Sequence, residues 1–228
     1  MRKSKLQRFA ELDTFENVLQ NFSFLNPVLV DHEKKWIDPK GKWNSNIFKN
    51  NNPIVLELAC GKGEYTCEMA MADKTKNYIG VDVKGNRMHR GAKKALQLNI
   101  TNAFFLRTDI NIISAFFDQE EVSEIWITFP DPHLKKGKDQ KRLTSERFLN
   151  YYKKILKPGG IIHLKTDDPT LYQFTLDTIE QLKLKLIYAD DDIYSKPLHH
   201  PFLEIKTYYE GMHLAEKKTI KYVEFAVE

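Results

Sequence analysis

The chain has 228 residues, 42% of them hydrophobic and 12% aromatic, enough to bury one substantial core. Its net charge of +4 and pI of about 8.8 are only mildly basic, so where the basic residues fall matters more than how many there are. Cys60 and Cys67 match neither a zinc site nor a redox pair, and no apolar run approaches the ~18 residues of a membrane span. A disulfide scaffold and a membrane helix are excluded, and a soluble, cytoplasmic protein is expected.

Met1 to Arg8 carries Arg2, Lys3, Lys5 and Arg8 with no acid, which reads as a solvated tail or as a basic arm for phosphates. Leu12, Phe15, Val18 and Leu19 have helical spacing and predict a short amphipathic helix over Glu11–Gln20. Residues 21–52 are rich in turn signals and read as an irregular extension with a helix near Ile47, anchored by Trp36 and Trp43. The expected division is therefore an N-terminal extension over 1–52 and a main domain over 53–228. From Pro53 a regular alternation begins. Strands are predicted at Ile54–Leu58, Asn77–Val83, Ala103–Arg107, Glu124–Phe129 and Gly160–Thr166. The helices between and after them are predicted at Gly63–Ala72, Lys84–Asn99, Ile112–Phe117, Thr144–Leu156 and Thr170–Leu182. Three further strands are expected near Leu184–Ala189, Phe202–Tyr208 and Ile220–Val227. Strands alternating with helices predict an α/β fold: a mostly parallel sheet with helices on both faces. The last two strands lack a helix between them, so at least one C-terminal strand should be antiparallel.

Ligands of such sheets bind beyond the carboxyl ends of the strands. The first strand of the alternation runs through Glu57 into the turn Ala59-Cys60-Gly61-Lys62-Gly63, where glycines let a backbone approach a ligand. Ala59, two residues before Gly61, should avoid positive φ. The second strand ends in Asp82, an acid placed to accept both hydroxyls of a ribose, and the third closes at Asp109. The fourth breaks abruptly at Pro130-Asp131-Pro132. It is followed by Lys135, Lys136, Lys138, Lys141 and Arg142 against a single acid, Asp139. One fixed carboxylate suits a small polar ligand, and the basic loop suits a polyanion. The dinucleotide fingerprint fails because its third glycine position is Thr66, and no phosphate-loop motif occurs.

Residues 54–168 resemble the Rossmann-like S-adenosylmethionine-dependent methyltransferases, in which an acid, a glycine turn and a second acid one strand later hold the donor. The tetrad Phe129-Pro130-Asp131-Pro132, the basic loop, Lys165-Thr166-Asp167 and Thr207-Tyr208-Tyr209-Glu210 follow in the order of the tRNA (guanine-N7)-methyltransferase family. This resemblance covers Pro53 to Glu210. His133 and Leu134 stand where that family usually has Trp and Pro, so an imidazole face would replace the indole for base stacking.

The resemblance implies methyl transfer from S-adenosylmethionine to N7 of a variable-loop guanosine in tRNA. Glu57, Gly61, Gly63, Asp82, Asp109 and Asp131 would bind the donor, and Asp131 would also be catalytic. Lys135, Asp167, Thr207, Tyr208, Tyr209 and Glu210 would bind the RNA, with Lys136, Lys138, Lys141 and Arg142 in the surrounding field. His199 and His200 have no metal-like spacing and are expected in a loop, with no metal. Monomer and homodimer both stay open. The alternatives are a methyltransferase of a small molecule or protein amine, and an RNA-binding protein on this fold without catalysis. The intact acids weigh against the second, and the basic loop with its two later motifs against the first.

Overall fold

Strand and helix alternate because the apolar residues do. Ile54, Leu56 and Leu58 pack on one face of the sheet and Val55 on the other, the period of two that a doubly covered strand requires. The computed structural model describes residues 3–227; Met1 and Arg2 of the expected arm and Glu228 lie outside them. In chain order the elements are α1 (Lys5–Leu12), β1 (Val18–Gln20), β2 (Leu29–Val30), β3 (Trp36–Ile37), a π-helical turn (Trp43–Phe48), β4 (Ile54–Leu58), α2 (Glu64–Ala72), β5 (Asn77–Asp82), α3 (Gly85–Gln97) and β6 (Ala103–Arg107). After a 3-10 turn (Ile110–Ala115) come β7 (Val122–Thr128), a second 3-10 turn (Asp139–Lys141), α4 (Glu146–Tyr152), β8 (Leu156–Thr166), α5 (Pro169–Gln181), β9 (Lys185–Asp190), a third 3-10 turn (Pro201–Glu204), α6 (Tyr208–Ala215) and β10 (Lys221–Ala226).

All strands join one sheet in the order β3-β2-β1-β6-β5-β4-β7-β8-β10-β9. From β1 across to β8 the neighbours are parallel, and β10 lies antiparallel to both β8 and β9. The chain leaves β4 in one direction and resumes at β7 on its other side, so the switch point falls between β4 and β7. One face packs Leu56, Ile125, Leu164 and Phe225 against α4 and α5 through Leu149, Tyr152 and Ile179. The other packs Val55, Tyr78, Trp126 and Tyr222 against α2 and α3 through Tyr65, Met69, Met88 and Ala92. No helix among the described residues is long and apolar enough to cross a membrane.

Several expectations change. The first helix spans Lys5–Leu12, started by a capping box in which Ser4 and Gln7 bond each other's backbone. Val18–Gln20 is a strand pairing with β6; Phe15 and Val18 reach the core as expected, from a different backbone. The extension thus adds β1, β2 and β3 to the main sheet. Trp43 anchors it, fully buried and donating to the Phe116 carbonyl at 2.8 Å, whereas Trp36 is 80% exposed and anchors nothing. The expected helix at Thr144–Leu156 is shorter, since Leu156 opens β8 and pairs with Val122. Phe202–Tyr208 is no strand: a 3-10 turn and the start of α6 occupy it. His199 and His200 lie in the loop after β9, where His199 stacks on Tyr188 and contacts Glu224 at 3.1 Å.

Candidate active site

The turn after β4 sets the floor of a cleft of about 970 Å³ at the carboxyl end of the sheet. Ala59, Gly61 and Gly63 all take positive φ, at 60°, 55° and 66°. Ala59 therefore does not avoid the left-handed region; the turn needs that conformation on alternate residues, and a methyl side chain carries it at about 1–2 kcal/mol. A Cβ on Gly61 would meet only the Ala59 carbonyl at 3.9 Å, leaving its backbone open to a ligand. A Cβ on Gly63 would strike the Phe105 ring at 2.5 Å and the Gly91 Cα at 3.1 Å. Gly63 thus lets α2 and α3 approach, and it does not line the cleft.

The acids at the strand ends converge here, with different surroundings. Glu57 is buried on β4. It accepts the Thr66 N–H at 2.8 Å, the Thr66 hydroxyl, and the Thr128 hydroxyl at 2.8 Å, tying β4 to α2 and β7. Burial raises its carboxyl to about 7, against the pull of those hydrogen bonds. Asp82 accepts the Gly61 N–H at 2.9 Å and the Lys84 N–H at 2.7 Å, bracing the glycine turn. Asp109 caps the turn after β6 by accepting from the Asn111 backbone at 2.9 Å. Asp131 stands past the end of β7, its side chain 75% exposed and its Oδ1 accepting the His133 N–H at 3.0 Å. Just before it Phe129 bends the chain out of the sheet at φ 48°. His133 faces the same cleft.

The lysine loop divides in two. Lys135, Lys136, Lys138 and Lys141 are exposed, and Lys141 reaches the cleft. Arg142, expected in the same field, is buried instead. It donates to the Pro132 carbonyl at 3.0 Å, pairs with Asp139 at 2.9 Å and lies over the Phe174 ring, so it staples the loop to the body. Lys135 is not among the residues lining the cleft.

The two later motifs meet through a buried ion pair. Lys165 Nζ contacts Glu210 at 2.8 Å and donates to the Leu203 and Ile205 carbonyls, and Tyr194 donates to Glu210 at 2.6 Å. Burial pulls the Lys165 ammonium below its usual value while Glu210 pushes it back up. Glu210, expected to contact the base, has no exposed surface; its carboxylate docks α6 onto β8. Thr207 caps α6 by accepting the Glu210 N–H at 3.1 Å, and Thr207, Tyr209 and Asp167 line the cleft. Tyr208 sits outside the cleft with the Lys62 ammonium 3.6 Å from its ring centre. Lys62, Lys84, Arg87, Arg147 and His213 also line the cleft and were missed by sequence reasoning. Lys62 and Lys84 adjoin residues already singled out; Arg147 and His213 lie on helices, where no strand-end signal marks them. No group of three or more metal-ligating side chains occurs among the described residues.

A sheet switching direction at β4, a glycine turn and acids at successive strand ends define a Rossmann-like methyltransferase. The family model described as "Putative methyltransferase" matches residues 51–223. The tRNA (guanine-N(7)-)-methyltransferase of Christiangramia forsetii is 44% identical, covering 99% of both chains; that of Bacteroides thetaiotaomicron is 45% identical, over 99% of this chain and 86% of the other. The chain belongs to the tRNA (guanine-N7)-methyltransferase family. Among solved structures, the 16S rRNA methyltransferase KamB shares the fold at TM-score 0.64 and 12% identity, over 86% of this chain and 97% of that one. The 16S rRNA (adenine(1408)-N(1))-methyltransferase from Catenulisporales acidiphilia does so at 0.58 and 15%, over 84% and 94%.

Proposed function

We propose that the protein transfers a methyl group from S-adenosylmethionine to N7 of a guanosine in tRNA, at position 46 of the variable loop, in the cytoplasm. The observation that carries this reading is the convergence of Asp82, Asp109, Asp131 and Asp167 on one cleft flanked by exposed lysines, in a chain of this family. The donor fits: the bare backbone at Gly61 can approach it, and Asp82 and Asp109 keep spare lone pairs for ribose and adenine. When bound, S-adenosylmethionine supplies a methyl group on a positively charged sulfur.

Guanine N7 has a lone pair and no proton at neutral pH, so the chain need supply no base. Its residues align the acceptor, exclude water and face the positive charge the guanine gains. Asp131, at the junction of donor floor and lysine loop, meets that charge. Asp167 accepts from guanine N1–H and N2–H, while Thr207 and Tyr209 wall the base side. Lys135, Lys136, Lys138 and Lys141 hold phosphates, with Tyr208 and Lys62 at the rim.

The test is incubation with labelled donor and unmodified tRNA, then mapping of the modified base. Label should appear as 7-methylguanosine and vanish with Asp131→Ala. Label on protein or small molecules, or tRNA binding with no transfer, would reject this reading.

A further inference from the structure

His213 belongs to none of the motifs, yet it joins two of them. It lies on α6, three residues beyond the docked Glu210. Its Nδ1 is 3.2 Å from Asp167 Oδ2 and accepts from Lys218 Nζ at 3.3 Å, an ammonium that also reaches that oxygen at 3.5 Å; its ring stacks on Phe129 with centroids 5.9 Å apart and planes 24° apart. Phe129 and Asp167 follow neighbouring strands, and the Phe129 N–H donates to the Lys165 carbonyl at 2.8 Å. The imidazole thus bridges the residue that aims Asp131 and the acid after β8, inside the cleft that both line.

We propose that His213 is a positioning residue for the guanine base. Its Nδ1, without a proton, accepts from Lys218 and holds that ammonium against Asp167 Oδ2, which fixes the carboxylate plane. An unsupported Asp turns about a broad terminal torsion. One ammonium held by a stacked, helix-borne ring removes that freedom, and each carboxylate oxygen keeps a lone pair for the base. Without the ring, Lys218 is a weaker restraint: it is 45% exposed and also pairs with Glu216 at 3.0 Å. The bridge also couples the base-side wall to Phe129, so that placing the base and placing Asp131 become one adjustment. This inference rests on the guanine reading of the cleft.

Two substitutions separate the acceptor from the ring. His213→Phe keeps an aromatic face for Phe129 and loses the acceptor for Lys218; His213→Gln keeps an acceptor and loses the ring. With unmodified tRNA, His213→Phe should lower kcat about tenfold or more, the scale of a misaligned acceptor. S-adenosylhomocysteine affinity and Tm should hold, and His213→Gln should recover kcat to within about threefold. Wild-type kcat in His213→Phe would overturn the positioning role. So would equal losses in both variants that track a fall in Tm. If the wild-type protein forms no 7-methylguanosine in tRNA, the function itself is rejected and this inference with it.

Discussion

Glu57 keeps its carboxyl inside the protein with no cation beside it, only hydroxyls and one backbone amide. Unfolded, it titrates at the ordinary 4.5; folded, at about 7. Between those values the unfolded chain has released a proton that the folded chain retains, so stability falls as pH rises through this window and levels off above it. The full effect is on the order of 3 kcal/mol. Glu57→Gln keeps the shape and removes the ionisation. Urea unfolding should show the variant gaining on wild type from pH 5 to pH 8; a constant gap across that range would count against the account. The residue was legible in sequence as an acid near a strand end. Its partners were not, because Thr66 and Thr128 lie 9 and 71 residues away and only the folded sheet brings them together. Ala59 teaches the same lesson: its φ is fixed by the turn, against its own preference.

At the scale of elements, the α6 side of the cleft is docked by a buried pair. Lys165 and Glu210 are both without exposed surface, and the Leu203 and Ile205 carbonyls complete the lysine's shell. Glu210→Ala leaves an ammonium buried without its counter-ion, which costs about 3–5 kcal/mol. Hydrogen exchange should accelerate across residues 201–215 while the amides of β4 and β5 stay protected; uniform acceleration would show that the pair holds the whole fold and not this side. The parallel strands were legible because both faces are covered, giving short apolar runs bounded by turn residues. The peripheral elements were harder. Leu12, Phe15, Val18 and Leu19 fit a helical stripe, but the chain turns between them and Val18–Gln20 pairs with β6. Two cap signatures were on view and unread: Ser4 with Gln7, and Thr207 with Glu210, each the start of a helix. In the second the acid does not return to its cap; it turns inward to Lys165.

For the whole molecule, a net charge of +4 is too small to drive RNA binding, so on the proposed function the exposed lysines of the 135–141 loop act locally. If each holds one phosphate, replacing Lys135, Lys136, Lys138 and Lys141 by Ala should flatten the slope of log affinity for tRNA against log salt by about 0.7–0.9 per contact. The Tm should not move, since all four are solvated. An unchanged slope would place the RNA elsewhere. The connection from β9 to β10 has a different consequence. Asp190 and Tyr222 are directly paired, so residues 191–220 leave and rejoin the sheet at adjacent points, as an enlarged hairpin loop. That loop carries Thr207, Tyr209 and His213, while the donor floor is built wholly from the parallel strands. Closing a longer or shorter loop across one antiparallel pair changes its entropy only slowly with length. On the proposed function, the part of the base side that this loop supplies can therefore be exchanged as one insert, while Asp131, Asp167 and the donor floor stay with the parallel strands.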